Sequence, residues 1–118
     1  MKTPTATEKE YVAGVLRAYQ QTPGTTGLVR PADRRLAAQL QQRAVPFTVI
    51  ENALLLAAAR RLFRDATAPP LGTIRSLAYF VPVIEEVLTS EISPTYFQHL
   101  RHKLERIKTP LFPPIVAS

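Results

Sequence analysis

Cysteine and tryptophan are absent from the 118-residue chain, and glycine is scarce, at four residues. Without thiols, neither a disulfide framework nor a Cys-based zinc site is available, which fits a reducing compartment. The stretch from Thr22 to Gly27 holds Gly24 and Gly27 but lacks the lysine and the spacing of a P-loop. A G-x-S-x-G elbow and a His-Glu zinc signature are missing as well. Long apolar runs are also lacking: the longest, Ala53 to Ala59, is far too short to cross a bilayer. The polar start Met1-Lys2-Thr3-Pro4 has no apolar stretch behind it, as a secretory signal requires. These gaps point to a cytoplasmic, non-enzymatic protein with no cofactor, no resident metal and no membrane span.

What is present is proline, at eleven positions, in a chain of globular composition (46% hydrophobic, 20% charged). The prolines cut the sequence into segments that each repeat at helical spacing, so the expected fold is all-α. It should be a compact orthogonal array or bundle of about five helices forming one domain. Residues 1–6 and the Pro-rich end, 109–118, read as tails. Thr7 and Glu10 have capping-box spacing ahead of Tyr11, Val12, Val15, Leu16 and Tyr19, and Pro23-Gly24 ends that helix. Pro31 opens a second helix with an Ala32, Leu36, Leu40 stripe. Pro46 opens a third, apolar nearly all round from Phe47 to Phe63, which predicts the central, most buried element. Thr73 is placed to cap a fourth helix through Ile74, Leu77, Tyr79 and Phe80, with Pro82 kinking or splitting it before Val83, Ile84, Val87 and Leu88. Ser93-Pro94 starts a fifth, with Tyr96, Leu100, Leu104 and Ile107 as its apolar stripe.

Formal charge is +6 and unevenly spread. Residues 30–64 hold seven arginines against Asp33 and Glu51, whereas residues 65–92 are net acidic through Asp65, Glu85, Glu86 and Glu91. Guanidinium forks bind phosphate bidentately and are weakly hydrated, so arginine suits a nucleic-acid backbone. The candidate contacts are Arg34, Arg35, Arg60, Arg61 and Arg64, joined by Arg101 and Arg106 on the last helix. Arg60, Arg61 and Arg64 would equally complement a helix C-terminus, and Arg34 and Arg35 could be a solvated face. Helices two and three have the order of a helix-turn-helix. The third, however, offers polar groups mainly at Thr48, Glu51 and Asn52, so it reads as a core helix rather than a major-groove reader.

Tyr79-Phe80 and Tyr96-Phe97 are candidates for base stacking, with core packing the plainer role. His99 and His102 share a helix face but lack a third metal ligand unless Glu85 or Glu86 approaches. Adjacent on a helix, Glu85 and Glu86 diverge by about 100° and cannot form a carboxylate dyad. An acidic face docking on the domain's own arginines, or on a partner's, accounts for them.

Two segments carry a family resemblance. Val45-Pro46-Phe47 with Ile50, Ala53, Leu54 and Ala57 resembles the helix preceding the signature of DnaD-like domains. Tyr79-Phe80-Val81-Pro82-Val83-Ile84 is similar in pattern to the family's Tyr-Ile-x-x-Ile-Leu signature. The resemblance covers Pro31 to Leu88. It implies a small helical module of bacterial, phage or plasmid replication initiation, with DNA and replication proteins as partners.

The expected function is therefore a nucleic-acid-associated module, DNA or RNA, serving replication or mobile-element maintenance. The alternative is a protein-interaction adaptor or oligomerisation domain that docks a partner or a second copy through Glu85, Glu86 and Phe112.

Overall fold

The computed structural model describes residues 6–65, 67–90 and 92–111, with side chains described from Thr7 to Arg106 within those spans. Among the described residues five α-helices follow one another: α1 (Ala6–Gln21), α2 (Pro31–Gln42), α3 (Phe47–Leu62), α4 (Val81–Thr89) and α5 (Pro94–Leu111), with a 3-10 helix (Leu77–Phe80) leading into α4. No strand forms among the described residues, and the one β-bridge is isolated.

Helix α3 sits at the centre because it is apolar on two sides. Ile50, Ala53, Leu54 and Ala57 join Val15, Leu16 and Tyr19 of α1, Ala37 and Leu40 of α2, and Leu77, Phe80 and Ile84 in the main core. Its other side carries Leu56 and Ala59, which meet Phe97 and Leu100 of α5 in a second cluster. A helix that faces two clusters cannot show a narrow stripe, which explains its all-round apolar sequence. Small residues let its neighbours approach closely. Across the α1–α3 contact, a Cβ on Gly14 would come within 3.1 Å of the Phe47 ring.

Helix α1 stops where Thr22 turns its hydroxyl back to the Ala18 carbonyl (2.8 Å) and Gly24 takes a positive φ of 93°. Helix α2 ends in a Schellman turn: Val45 N–H donates to the Leu40 carbonyl and Ala44 N–H to that of Gln41. The left-handed position of that turn, usually glycine, is Ala44 at φ 60°. At α5, the Ser93 hydroxyl accepts the Thr95 N–H, the capping bond expected of Ser93-Pro94.

The structure moves several expected boundaries. Thr7 lies inside α1 rather than at its cap. The buried face of α2 is Asp33, Ala37 and Leu40, while Ala32 is exposed and Leu36 half-buried. On α5 the buried positions are Phe97, Leu100 and Leu104, and Tyr96 points out. The side chain of Ile107 lies outside the described residues. Helix α5 runs on through Leu111, past the position 109 at which the tail was expected to begin, and residues 1–5 and 112–118 lie outside the described span.

The fourth segment is split rather than bent. Pro82 occupies the first turn of α4, where a missing N–H costs nothing, and a separate 3-10 helix precedes it. Residues 73–76 are not helical because their backbone is engaged elsewhere. Ile74 N–H donates to the Gly24 carbonyl (2.7 Å), and the Ile74 carbonyl accepts from Thr26 (3.0 Å). Ser76 is extended at φ −154°.

Asp33 closes the same region. It is 2% exposed, with one carboxylate oxygen accepting the Arg30 N–H at the start of α2 and the other accepting the Leu77 N–H at the start of the 3-10 helix (both 2.9 Å). One buried carboxylate thus satisfies two helix N-termini and ties α2 to the 3-10 helix.

Candidate functional site

The seven arginines expected at a phosphate surface fall into distinct environments. Arg34 is exposed on α2 and lines a groove of about 440 Å³ against α1, shared with Glu8, Lys9 and Val12. Arg35 and Arg106 are exposed on α2 and α5. Arg101 lines a second groove between the end of α1, α3 and α5, beside Glu51, Leu55 and Leu104. Arg60, Arg61 and Arg64 come together at the C-terminal end of α3, around a third groove of about 320 Å³ whose other walls are Ala57, Leu71, Tyr79 and Val83. Arg61 and Arg64 continue into an adjoining hollow over Pro23, Gly24 and Pro69.

Proximity does not make these three arginines equivalent. Arg60 forms a two-pronged ion pair with Glu86, one limb at 2.8 Å. Arg43 at the end of α2 does the same with Glu85, at 2.7 and 3.2 Å. Helix α4 therefore places its acidic pair between two of the chain's own basic residues, the in-chain version of the docking expected for that face. These guanidinium hydrogen bonds hold both glutamate carboxyls below their ordinary range and push both arginines up. The structure does not bring His99 and His102 to either glutamate. Both histidines are exposed, and among the described residues no three metal-ligating side chains meet.

Arg61 and Arg64 are held by neutral acceptors instead. Arg61 donates to the Gly72 carbonyl (2.7 Å) and to the Tyr79 hydroxyl oxygen (3.2 Å), and Arg64 donates to the Pro69 carbonyl (2.7 Å). Among the described residues, neither forms an ion pair with a carboxylate. A carbonyl oxygen orients a guanidinium without cancelling its charge, and each guanidinium has five N–H donors, so most remain unused. Residues 69–72 lie against these two side chains. Gly24 is part of the arrangement: a Cβ there would lie 3.1 Å from Arg61 Nε.

The aromatic pairs divide. Phe80 and Phe97 are buried at 0% and 5% exposure, while Tyr79 and Tyr96 stand out at 46% and 45%. Each tyrosine packs edge-to-face on its neighbour, at 5.2 Å for Tyr79 on Phe80 and 6.0 Å for Tyr96 on Phe97. Tyr79 also lies beneath the Arg61 guanidinium, 5.8 Å from its ring centroid. On the far side of the α3 terminus, the Lys103 ammonium sits over the exposed Phe63 ring at 4.6 Å.

The inward phenylalanines fit the expected core role, but the outward tyrosines do not. A signal for this was in the sequence: neighbouring helix positions diverge by about 100–120°, so on an element packed along one side the two members of a Tyr-Phe pair face different ways. The role of Asp33 had a weaker signal, an acid two residues after the Pro31 helix start, where it can accept the cap N–H. No family model, curated protein or solved structure matches the chain.

Proposed function

We propose that the chain is a non-catalytic nucleic-acid-associated module that contacts phosphates through Arg61 and Arg64 at the C-terminal end of α3. The observation that carries this reading is the pair of guanidinium groups anchored on carbonyl oxygens, with no carboxylate neutralising either among the described residues. Such groups present charge and spare donors in a fixed orientation, so little side-chain entropy is lost when a phosphate arrives. Arg60 contributes less than its position suggests, because Glu86 already offsets its charge. Arg101, in the neighbouring groove, extends the positive surface along α5. The resemblance to DnaD-like replication modules points the same way, and the replication or mobile-element setting remains part of the proposal.

Binding should be electrostatic and nearly independent of sequence. The test is fluorescence anisotropy of labelled DNA over a salt series, with the double variant Arg61→Gln/Arg64→Gln, which removes both charges while keeping polar side chains. Loss of two phosphate contacts lowers the slope of log K against log salt by about 1.4–1.8. An unchanged slope in a folded variant rejects these two residues as the contacts.

The adaptor alternative is weakened where it relied on Glu85 and Glu86, since each is already paired within the chain. Phe112 lies outside the described residues.

A further inference from the structure

The groove between the three arginines is apolar where a duplex would offer it nothing. Its lining includes buried Ala57, half-buried Val83, exposed Leu71 and the exposed Tyr79, while Arg60, Arg61 and Arg64 complete it. Tyr79 is fixed by a T-shaped contact with Phe80 at 5.2 Å and by Arg61, which bonds its hydroxyl. Arg61 also lies over one face, 5.8 Å from the ring centroid, so a stacked base would take the opposite face. A large aromatic left nearly half exposed, with its ring oriented by a cation, is a surface prepared for another flat group. In duplex DNA the base faces are stacked on one another, and a protein meets only phosphates, sugars and base edges. In a single strand every base offers a free face, and stacking on tyrosine tolerates any base identity. The charge fits the same ligand: two un-neutralised arginines stand within reach of a phosphate flanking a base in the groove.

We propose that this groove takes an unpaired nucleobase stacked on Tyr79, with flanking phosphates on Arg61 and Arg64, so that the chain binds single-stranded nucleic acid in preference to duplex. The inference rests on the phosphate-contact reading above. The volume, about 320 Å³, matches the lower end of small-ligand sites and so suits one base rather than several.

The experiment compares anisotropy of a labelled oligothymidine with that of a duplex of matched phosphate number, for the wild type, Tyr79→Ala and Tyr79→Phe. A second readout is the fluorescence of a single 2-aminopurine placed within the strand, which changes when that base stacks on an aromatic. The expected result is tighter binding of the single strand, weakened about 5- to 150-fold by Tyr79→Ala. Duplex affinity should fall far less, by no more than in Tyr79→Phe, which also frees Arg61 from the hydroxyl. Tyr79→Phe keeps most of the preference, because the ring stacks and the hydroxyl does not. The 2-aminopurine response should be present in the wild type and lost in Tyr79→Ala.

Equal affinity for strand and duplex, or a Tyr79→Ala variant that binds the strand like the wild type, overturns the base groove while leaving the phosphate contacts standing. Should Tyr79→Ala fail to fold, a silent 2-aminopurine response in the wild type overturns the base groove on its own. Absence of binding to either nucleic acid at low salt overturns both readings together and turns the groove over to a protein ligand.

Discussion

Removing the Asp33 carboxylate is the sharpest test of how the fold is held. Asp33→Ala deletes two hydrogen bonds at once, to the Arg30 and Leu77 N–H groups, each at 2.9 Å. Leu77 is itself at 0% exposure, so its N–H would be left buried without this acceptor. Hydrogen bonds to a charged acceptor contribute about 1.5–3 kcal/mol each. Against this stands the desolvation that the carboxylate no longer has to bear, which returns a smaller part of that loss. The net loss should be about 3–5 kcal/mol, a large share of the roughly 5–15 kcal/mol by which small domains are stable.

Asp33→Asn separates hydrogen bonding from packing. Its amide keeps the volume and one acceptor but sets an NH₂ donor against the other N–H, so it should lose about 2–3 kcal/mol rather than nothing. Urea denaturation followed by circular dichroism reads both variants, with Arg35→Ala as an exposed control expected within about 0.5 kcal/mol of wild type. A loss below about 1 kcal/mol in Asp33→Ala, or an asparagine variant as stable as wild type, would refute the account of α2 joined to the 3-10 helix through this carboxylate.

Two further perturbations test the turn chemistry and the ion pairs. Ala44→Gly relieves a left-handed alanine at φ 60° that costs about 1–2 kcal/mol, offset by about 0.5–1 kcal/mol of glycine backbone entropy. Thermal melting should therefore rise by a few degrees, and a fall would show that the Schellman turn is not formed as described. The Glu85 and Glu86 carboxyls are held below the ordinary glutamate value of 4.5, so the folded state binds fewer protons there than the unfolded state. Their contribution is complete above that value and fades as the pH falls through the lower folded values. The double variant Glu85→Gln/Glu86→Gln should accordingly lose stability less steeply than wild type on acidification. Parallel pH curves at low salt would mean that the pairs to Arg43 and Arg60 are not made in solution.

Helix existence was legible because proline punctuation and 3.6-residue periodicity agree along most of the chain. The starts at Pro31 and at Ser93-Pro94, and the central place of α3, follow from those signals alone. What periodicity could not supply was the phase of short helices. On α2 the inward face turns on Asp33, a residue read from sequence only as one charge among several. Its burial depends on a partner N–H at Leu77, forty-four positions away. Residues 73–76 misled for a related reason. Their composition permits helix, yet Ile74 is claimed by the Gly24–Thr26 loop, a tertiary contact that local propensity does not register.

The candidate site shows the same limit in electrostatic form. Arg60 and Arg61 are adjacent, share a basic run and differ little in sequence context, yet they meet opposite fates. Helix α4 brings Glu86 against Arg60, whereas the chain folds Gly72 and Tyr79 against Arg61. On the phosphate-contact proposal the difference matters, because an arginine bound to a carboxylate must exchange one anion for another to hold a phosphate, at little net gain. An arginine bound to carbonyl oxygens keeps its full charge and has no paired anion to displace, although Asp65 shares the hollow that Arg61 and Arg64 line. Counting arginines therefore overstates the phosphate contacts the proposal can draw on at this end of α3. The position of α4 leaves two of its three arginines without an ion pair among the described residues, and it leaves them beside the aromatic ring that Phe80 holds at the surface.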